Sequence, residues 1–389
     1  MQFSSTENSR LIIYILSKCG VLRDPAKILP LNIMLHVPIT FTLTTLMWLK
    51  VIFSSNFNDA TDVIYIAFTE TTFVIKVLSA WRFARLLQFI FLEWQTNNLF
   101  SLKSANEHLI WNGQFKTFKI IAFVYISCSL SVLILSFVSV PYMETYRLPF
   151  AYWTPAGWEQ SSYFWYICFY DFIGMAFTCI SNCTVDMYFC YLLKHIAVCF
   201  RMISMRLVKL GYTSEDVTKN LKEIITFHSK LKSMSRHCEK IISYPILGQI
   251  LFSSVVLCFS IYRLQAISFI ETPLDFLSVF QYMWVMAAQI YLPCHYCNEL
   301  TLQSAALHTA VYNCNWIDMT AAEHACFANL APHVAPDPEP ALEATISTTD
   351  VPGEVATFKD SCDGERTQIG GTSLTTDLVP STAKHTLKT

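Results

Sequence analysis

Four ionisable side chains stand inside runs that are otherwise apolar: Glu70, Lys76, Asp171 and Asp186. At membrane depth such groups are costly, so they face a bundle interior or water. They fit either a ligand or ion pathway or polar contacts between helices, and Asp186, near the inner end of its run, fits the second better. Glu70 and Lys76 are six residues apart and fall on different helix faces, which argues against a salt bridge between them. Cys294-His295-Tyr296-Cys297 spells a CxxC. It lacks a second ligating pair at zinc-site spacing and does not open a helix of a thioredoxin-like unit. Asn182-Cys183-Thr184 matches a glycosylation acceptor but lies inside an apolar run that the machinery does not reach. There is no Gly-rich phosphate loop, no HExxH, no GxSxG and no DNA-reading module. Neither an enzyme, nor a cofactor or metal site, nor a nucleic-acid partner is expected.

The elements that position these groups follow from composition. Of 389 residues, 53% are apolar and 14% charged, against about 25% charged in an ordinary soluble domain. The 14 Cys mostly sit in the apolar runs, where a thiol is a small hydrophobe rather than half of a secreted disulfide framework. A bilayer core needs about 20 apolar helical residues. Six stretches meet that need: 31–53, 62–81, 120–140, 163–191 (with a possible helical extension to 210), 244–269 and 274–293. Leu11 to Leu16 is too short for a signal-peptide h-region. The expected fold is therefore an all-α polytopic membrane protein, a helical bundle with six evident spans.

Lysine and arginine set its orientation. The N-terminal arm, residues 1–30, carries four, the connection after the second stretch five, and the long connection over 192–243 ten. The alternate connections hold Arg147 and Arg263. Nineteen against two places the N-terminus in the cytoplasm, with the bilayer as solvent and a plasma-membrane, multi-pass location. A G-protein-coupled receptor, with its N-terminus outside, is disfavoured by that count. Within the long connection, Thr213 and Asp216 resemble a capping box. Leu221, Ile224, Ile225, His228 and Leu231 then follow at helical spacing. Their apolar face packs on the inner helix halves or on another subunit; a surface helix on the headgroups is the plainer alternative. The bundle is expected over 31–317, followed by a polar, Pro/Ser/Thr-rich tail over 318–389 that is disordered by composition.

With the N-terminus inside, the outer halves are aromatic. Tyr65, Phe68, Phe137 and Phe280 are joined by Tyr163, Tyr166 and Tyr170, which share one face at i, i+3 and i+7. Trp165, Tyr262, Phe276 and Tyr282 lie at the same level. Together with Thr72 and Gln281 to orient a ligand, the set suits a pocket for a small apolar molecule. For any one of these residues an interfacial belt or ordinary packing is the plainer reading.

Two segments then become recognisable. Leu148-Pro149-Phe150-Ala151-Tyr152-Trp153-Thr154-Pro155 precedes Trp158 and an aromatic run. Leu292-Pro293-Cys294-His295-Tyr296-Cys297-Asn298-Glu299-Leu300-Thr301 is followed by Ala310-Val311-Tyr312-Asn313-Cys314-Asn315-Trp316. With the stretch from His228 to Pro245-Ile246-Leu247, they resemble the insect odorant receptor family, from about residue 10 to 318. The resemblance implies an odorant-gated cation channel, formed when a tuning receptor assembles with a shared co-receptor in a hetero-oligomer, a tetramer. It implies a cavity for a small volatile organic ligand in the outer half, built mainly by the second, third, fourth and sixth helices. It also implies a seventh, pore-lining helix, where this sequence instead turns polar after Trp316. A truncated gene model or splice form is the reading expected of that departure. A gustatory-type chemoreceptor shares the topology, and a solute transporter would need repeat symmetry and broken helices that the sequence lacks.

Overall fold

A computed structural model describes residues 10–21, 31–54, 56–142, 147–154, 163–210, 217–267, 269–270 and 272–315. The expected capping box at Thr213 and Asp216, the Pro155 and Trp158 end of the first motif, Trp316 and the tail over 318–389 lie outside the described residues. Every regular element among the described residues is helical.

Helix α1 (Arg10–Lys18) ends where Gly20 takes a φ of 72°, and Val21 N donates to Leu16 O at 3.0 Å. This is the left-handed closure that glycine permits without a Cβ clash. Helix α2 (Leu31–His36) passes through a wider turn, Val37–Phe41, into α3 (Thr42–Ile52). Pro38 lies in that turn and cannot donate to the helical ladder. His36 Nε2 bonds Cys19 O at 2.8 Å, which ties α1 to the first span. Helices α4 (Phe57–Arg82), α5 (Ala84–Thr96) and α6 (Ala105–Ser139) follow. The last three are long: α7 (Phe164–Val208), α8 (Val217–Ala266) and α9 (Pro273–Tyr312). At 1.5 Å per residue, the 45 residues of α7 span about 68 Å, twice the thickness of a bilayer core.

Among the described residues, five helices are long and apolar enough to cross a membrane: Met34–Ile52, Ala60–Arg82, Ala105–Ser139, Phe164–Val208 and Val217–Ala266. Helix α9, expected as a sixth span over 274–293, is not among these five; it is 40 residues long and continues through Pro293 to Tyr312. The expected connection over 192–243 is helical over 192–208, as the end of α7, and over 217–243, as the start of α8. Leu221, Phe227 and Leu231 are wholly buried there. That amphipathic face therefore packs on the bundle and not on a headgroup layer. Ile225 is partly buried and His228 buried beside it.

Two apolar cores follow one another along the bundle. An upper core joins Leu43 and Met47 of α3, Ile66 of α4, Leu133 of α6, Phe164 and Met175 of α7, and Met286 of α9. A lower core joins Trp94 of α5, Phe115 and Phe118 of α6, Tyr191 and Ile196 of α7, Phe227 of α8 and Tyr296 of α9. Helix α7 is the axis of both, contacting α9, α6 and α8. Every residue from Ser181 to Phe200 is buried, so this stretch faces protein on all sides.

Both internal prolines are compensated by neighbours. Pro293 cannot donate to Gln289 O, and Gln249 of α8 supplies that hydrogen bond from Nε2 at 2.6 Å. Pro245 cannot donate to Ile241 O, and Ser79 of α4 does so at 3.3 Å. The helices continue because the freed carbonyls are satisfied, as a bundle in lipid requires.

Candidate ligand-binding site

Between the two cores lies a layer of buried polar side chains. Lys76 of α4 forms an ion pair with Asp186 of α7 and donates to Asn182 Oδ1 at 2.8 Å. Tyr125 of α6 donates to Asp186 Oδ2 at 3.2 Å, and Gln289 Nε2 of α9 donates to the same oxygen at 2.8 Å. With Gln249 on the Gln289 carbonyl, the layer joins α4, α6, α7, α8 and α9. Asp186 is thus an interhelical contact, as its position in the sequence suggests. Asn182, the nominal glycosylation site, is inside the bundle.

Above this layer is a cavity of about 70 Å³. Helix α4 lines it with Ile66, Thr69 and Glu70; α6 with Tyr125, Ser129, Val132 and Leu133. Helix α7 contributes Met175, Cys179, Asn182 and Cys183; α9 contributes Tyr282, Val285, Met286 and Gln289, with Phe150 from the connection after α6. Each set repeats at three or four residues, one helix face turned inward. Tyr125, Asn182 and Gln289 belong both to the cavity wall and to the polar layer, which therefore forms the cavity floor. In the walls, Thr69 Oγ1 and Tyr282 OH share a hydrogen bond of 2.6 Å, and Thr178 Oγ1 donates to Glu70 Oε1 at 2.9 Å. Asp171, the remaining ionisable group, is wholly buried on α7 outside the lining.

Tyr65, Phe68, Thr72, Phe137, Tyr163, Tyr166, Tyr170, Phe280 and Gln281, the ligand-binding residues expected from the sequence, are not in this lining. Tyr65 is buried against Tyr282 edge-on, with ring centroids 5.4 Å apart, and accepts a hydrogen bond from Arg263. Phe68 lies between Trp48 and Phe252, and Thr72 is buried with its hydroxyl bonded to Phe68 O on its own helix. Phe137 packs edge-on against Phe172 at 5.1 Å in an open groove shared with Ile134, Val138 and Pro141. Tyr163 and Tyr166 are 61% and 76% exposed, while Tyr170 donates to Pro38 O at 2.9 Å. Phe280 is exposed and stacked on Phe276, and Gln281 donates to Ser131 and to Cys128 O. The shared face of Tyr163, Tyr166 and Tyr170 thus turns away from the cavity, because the α7 face that meets α4, α6 and α9 carries Met175, Cys179 and Cys183 instead. Of the aromatic set, Tyr282 lines the cavity. Cys294 and Cys297 of the CxxC are both exposed on α9.

Residues 56–323 match the family described as 7tm Odorant receptor. Odorant receptor 94a of Drosophila melanogaster is 37% identical over 287 residues, 73% of this chain and 74% of that protein. Odorant receptor 46a, isoform A, of the same species is 25% identical over 227 residues, 57% and 59% of the two chains. The insect olfactory receptor OR5 from Machilis hrabei aligns with a TM-score of 0.67 at 16% identity, over 92% of this chain and 96% of that one. Its complex with eugenol aligns with a TM-score of 0.70 over 85% and 90%. At that identity the likeness speaks for the fold. The long helices and the family match agree, and the chain belongs to the insect odorant receptor family, whose members are ligand-binding membrane receptors and not enzymes.

Proposed function

We propose that this chain is a tuning odorant receptor: a ligand-gated cation channel subunit that binds a small volatile organic molecule in the cavity between α4, α6, α7 and α9. It works in a hetero-oligomer, a tetramer, with a shared co-receptor, in the plasma membrane with its N-terminus cytoplasmic. The observation that carries this reading is the cavity floor. A ligand there touches Tyr125, Asn182 and Gln289, the side chains through which α6, α7 and α9 hold Lys76 and Asp186.

The cavity volume suggests how binding acts. An engineered cavity that binds benzene has a volume of about 150 Å³, roughly twice the volume present here. An odorant of that size or larger enters only if the walls part, so it binds an expanded state better than the one described. That differential affinity is what shifts a closed-to-open equilibrium. The excess of Lys and Arg on the connections at the lower-core end supports the orientation. At that end charged side chains also pair within reach of water: Lys230 with Glu93 and Lys103 with Glu223.

Co-expression with the co-receptor in cells that lack other chemoreceptors tests the proposal. Odorant-evoked cation current that needs both chains supports it; current without the co-receptor, or none across a broad odorant panel, counts against it. An N-terminal epitope should stain only after permeabilisation.

A further inference from the structure

The polar groups around the cavity mostly satisfy one another. Thr69 pairs with Tyr282, Tyr125 and Gln289 donate to Asp186, Asn182 accepts from Lys76, and Ser129 donates to Tyr125 O at 2.9 Å. Glu70 is 4% exposed, and only its Oε1 is engaged, by Thr178. Among the described residues, Glu70 Oε2 is the buried polar atom of the cavity lining without a hydrogen-bond partner. Such an atom in a native interior calls for an explanation, and an absent ligand is one.

We propose that Glu70 Oε2 receives the hydroxyl of a small alcohol whose hydrocarbon part lies against Val132, Leu133 and Met286, so that this receptor selects alcohols over hydrocarbons and ethers of equal length. A hydroxyl both donates and accepts, so it completes the carboxyl whether Oε2 carries a proton or not. An ether oxygen only accepts, and a hydrocarbon does neither. An amine would bring a second positive charge within roughly 9 Å, six residues of helical rise, of Lys76 on the same helix.

The inference rests on the cavity being the ligand site, and its test separates the two. Purified receptor in lipid nanodiscs is titrated with n-hexanol, methyl pentyl ether and n-heptane, and with the homologous series from butanol to octanol, at matched membrane concentrations. Unfolding midpoints are read. Wild type should respond to its best alcohol at about tenfold lower concentration than to the ether or alkane of the same length. Glu70→Gln should keep that preference, and Glu70→Leu should reduce it to less than twofold. Equal responses to the three probes, or a preference unchanged in Glu70→Leu, overturns the inference. If Glu70→Leu does not fold, the wild-type comparison decides alone. Alcohol-selective stabilisation with no evoked current would leave this inference standing and refute the channel reading.

Discussion

Gln249→Leu probes how the bundle tolerates Pro293. In the native protein the Gln249 amide donates to Gln289 O at 2.6 Å, with Gln249 2% exposed and Gln289 3%. Leucine nearly matches glutamine in volume, so the packing change is small. What is lost is the donor that Gln249 aims at a carbonyl that Pro293 cannot serve. Leaving a buried carbonyl unpaired costs about 1–3 kcal/mol, or a fall of roughly 1–4 °C in unfolding midpoint for a chain of this size. Pro293→Ala gives position 293 an N–H that reaches the same carbonyl along the helix. In the Gln249→Leu background it should restore most of the loss. In wild type it should change little, because the carbonyl already has a donor. The coupling between the two sites is then about 1–2 kcal/mol, read from midpoints of the four proteins in nanodiscs by tryptophan fluorescence. Strictly additive effects would show that the two donors do not share one acceptor and would refute the reasoning.

Asp186→Leu leaves Lys76 with only Asn182 in a dry interior, and should destabilise by about 3–5 kcal/mol; adding Lys76→Met should recover most of that, measured by the same midpoints. Leu133→Ala enlarges the cavity at a cost of about 2–5 kcal/mol, and in dose-response recordings should shift preference towards bulkier odorants. Tyr163→Ala and Tyr166→Ala remove exposed rings and should leave dose-response curves unchanged; a clear shift would move the ligand site to that face. Hydrogen bonds from Asn97 and Lys230 hold the Glu93 carboxyl below the usual carboxylate range. Its folded value lies below the unfolded one near 4.3, so its stabilisation is present above that value and fades as pH falls through the folded value. Glu93→Gln should flatten the loss of stability between about pH 5 and 3.

The spans were legible because lipid leaves one backbone solution and apolar length reveals it. The length of α7 and α8 was less so, since their lower halves are buried by protein and carry charges: Lys194 is buried yet pairs with Glu299 at 2.6 Å. The ionisable residues of the apolar runs lie nearer the cavity, with Glu70 in its wall and Asp186 beneath its floor. The aromatic count was a poorer guide, because a ring at the right depth turns to the cavity, to lipid or to a neighbour according to helix rotation, which sequence alone leaves open for α7. The stripes at Ile66/Thr69/Glu70, Val132/Leu133, Met175/Cys179/Cys183 and Tyr282/Val285/Met286/Gln289 carry the helical period. They blend into spans that are apolar on every side, so periodicity alone does not single them out.

The pairing of Lys76 with Asp186 also bears on biogenesis. The two are 110 residues apart in the chain, so a ribosome delivers α4 to the membrane long before α7 exists. Until then Lys76 is an uncompensated cation in a nascent span, at a cost of about 2.5–3.5 kcal/mol on the scale of translocon insertion. Helix α4 on its own is thus a hesitant span, and its commitment to the bilayer waits on the arrival of α7. Nascent chains stopped short of Asp186 should remain in contact with the insertion machinery, and those extended past it should be released.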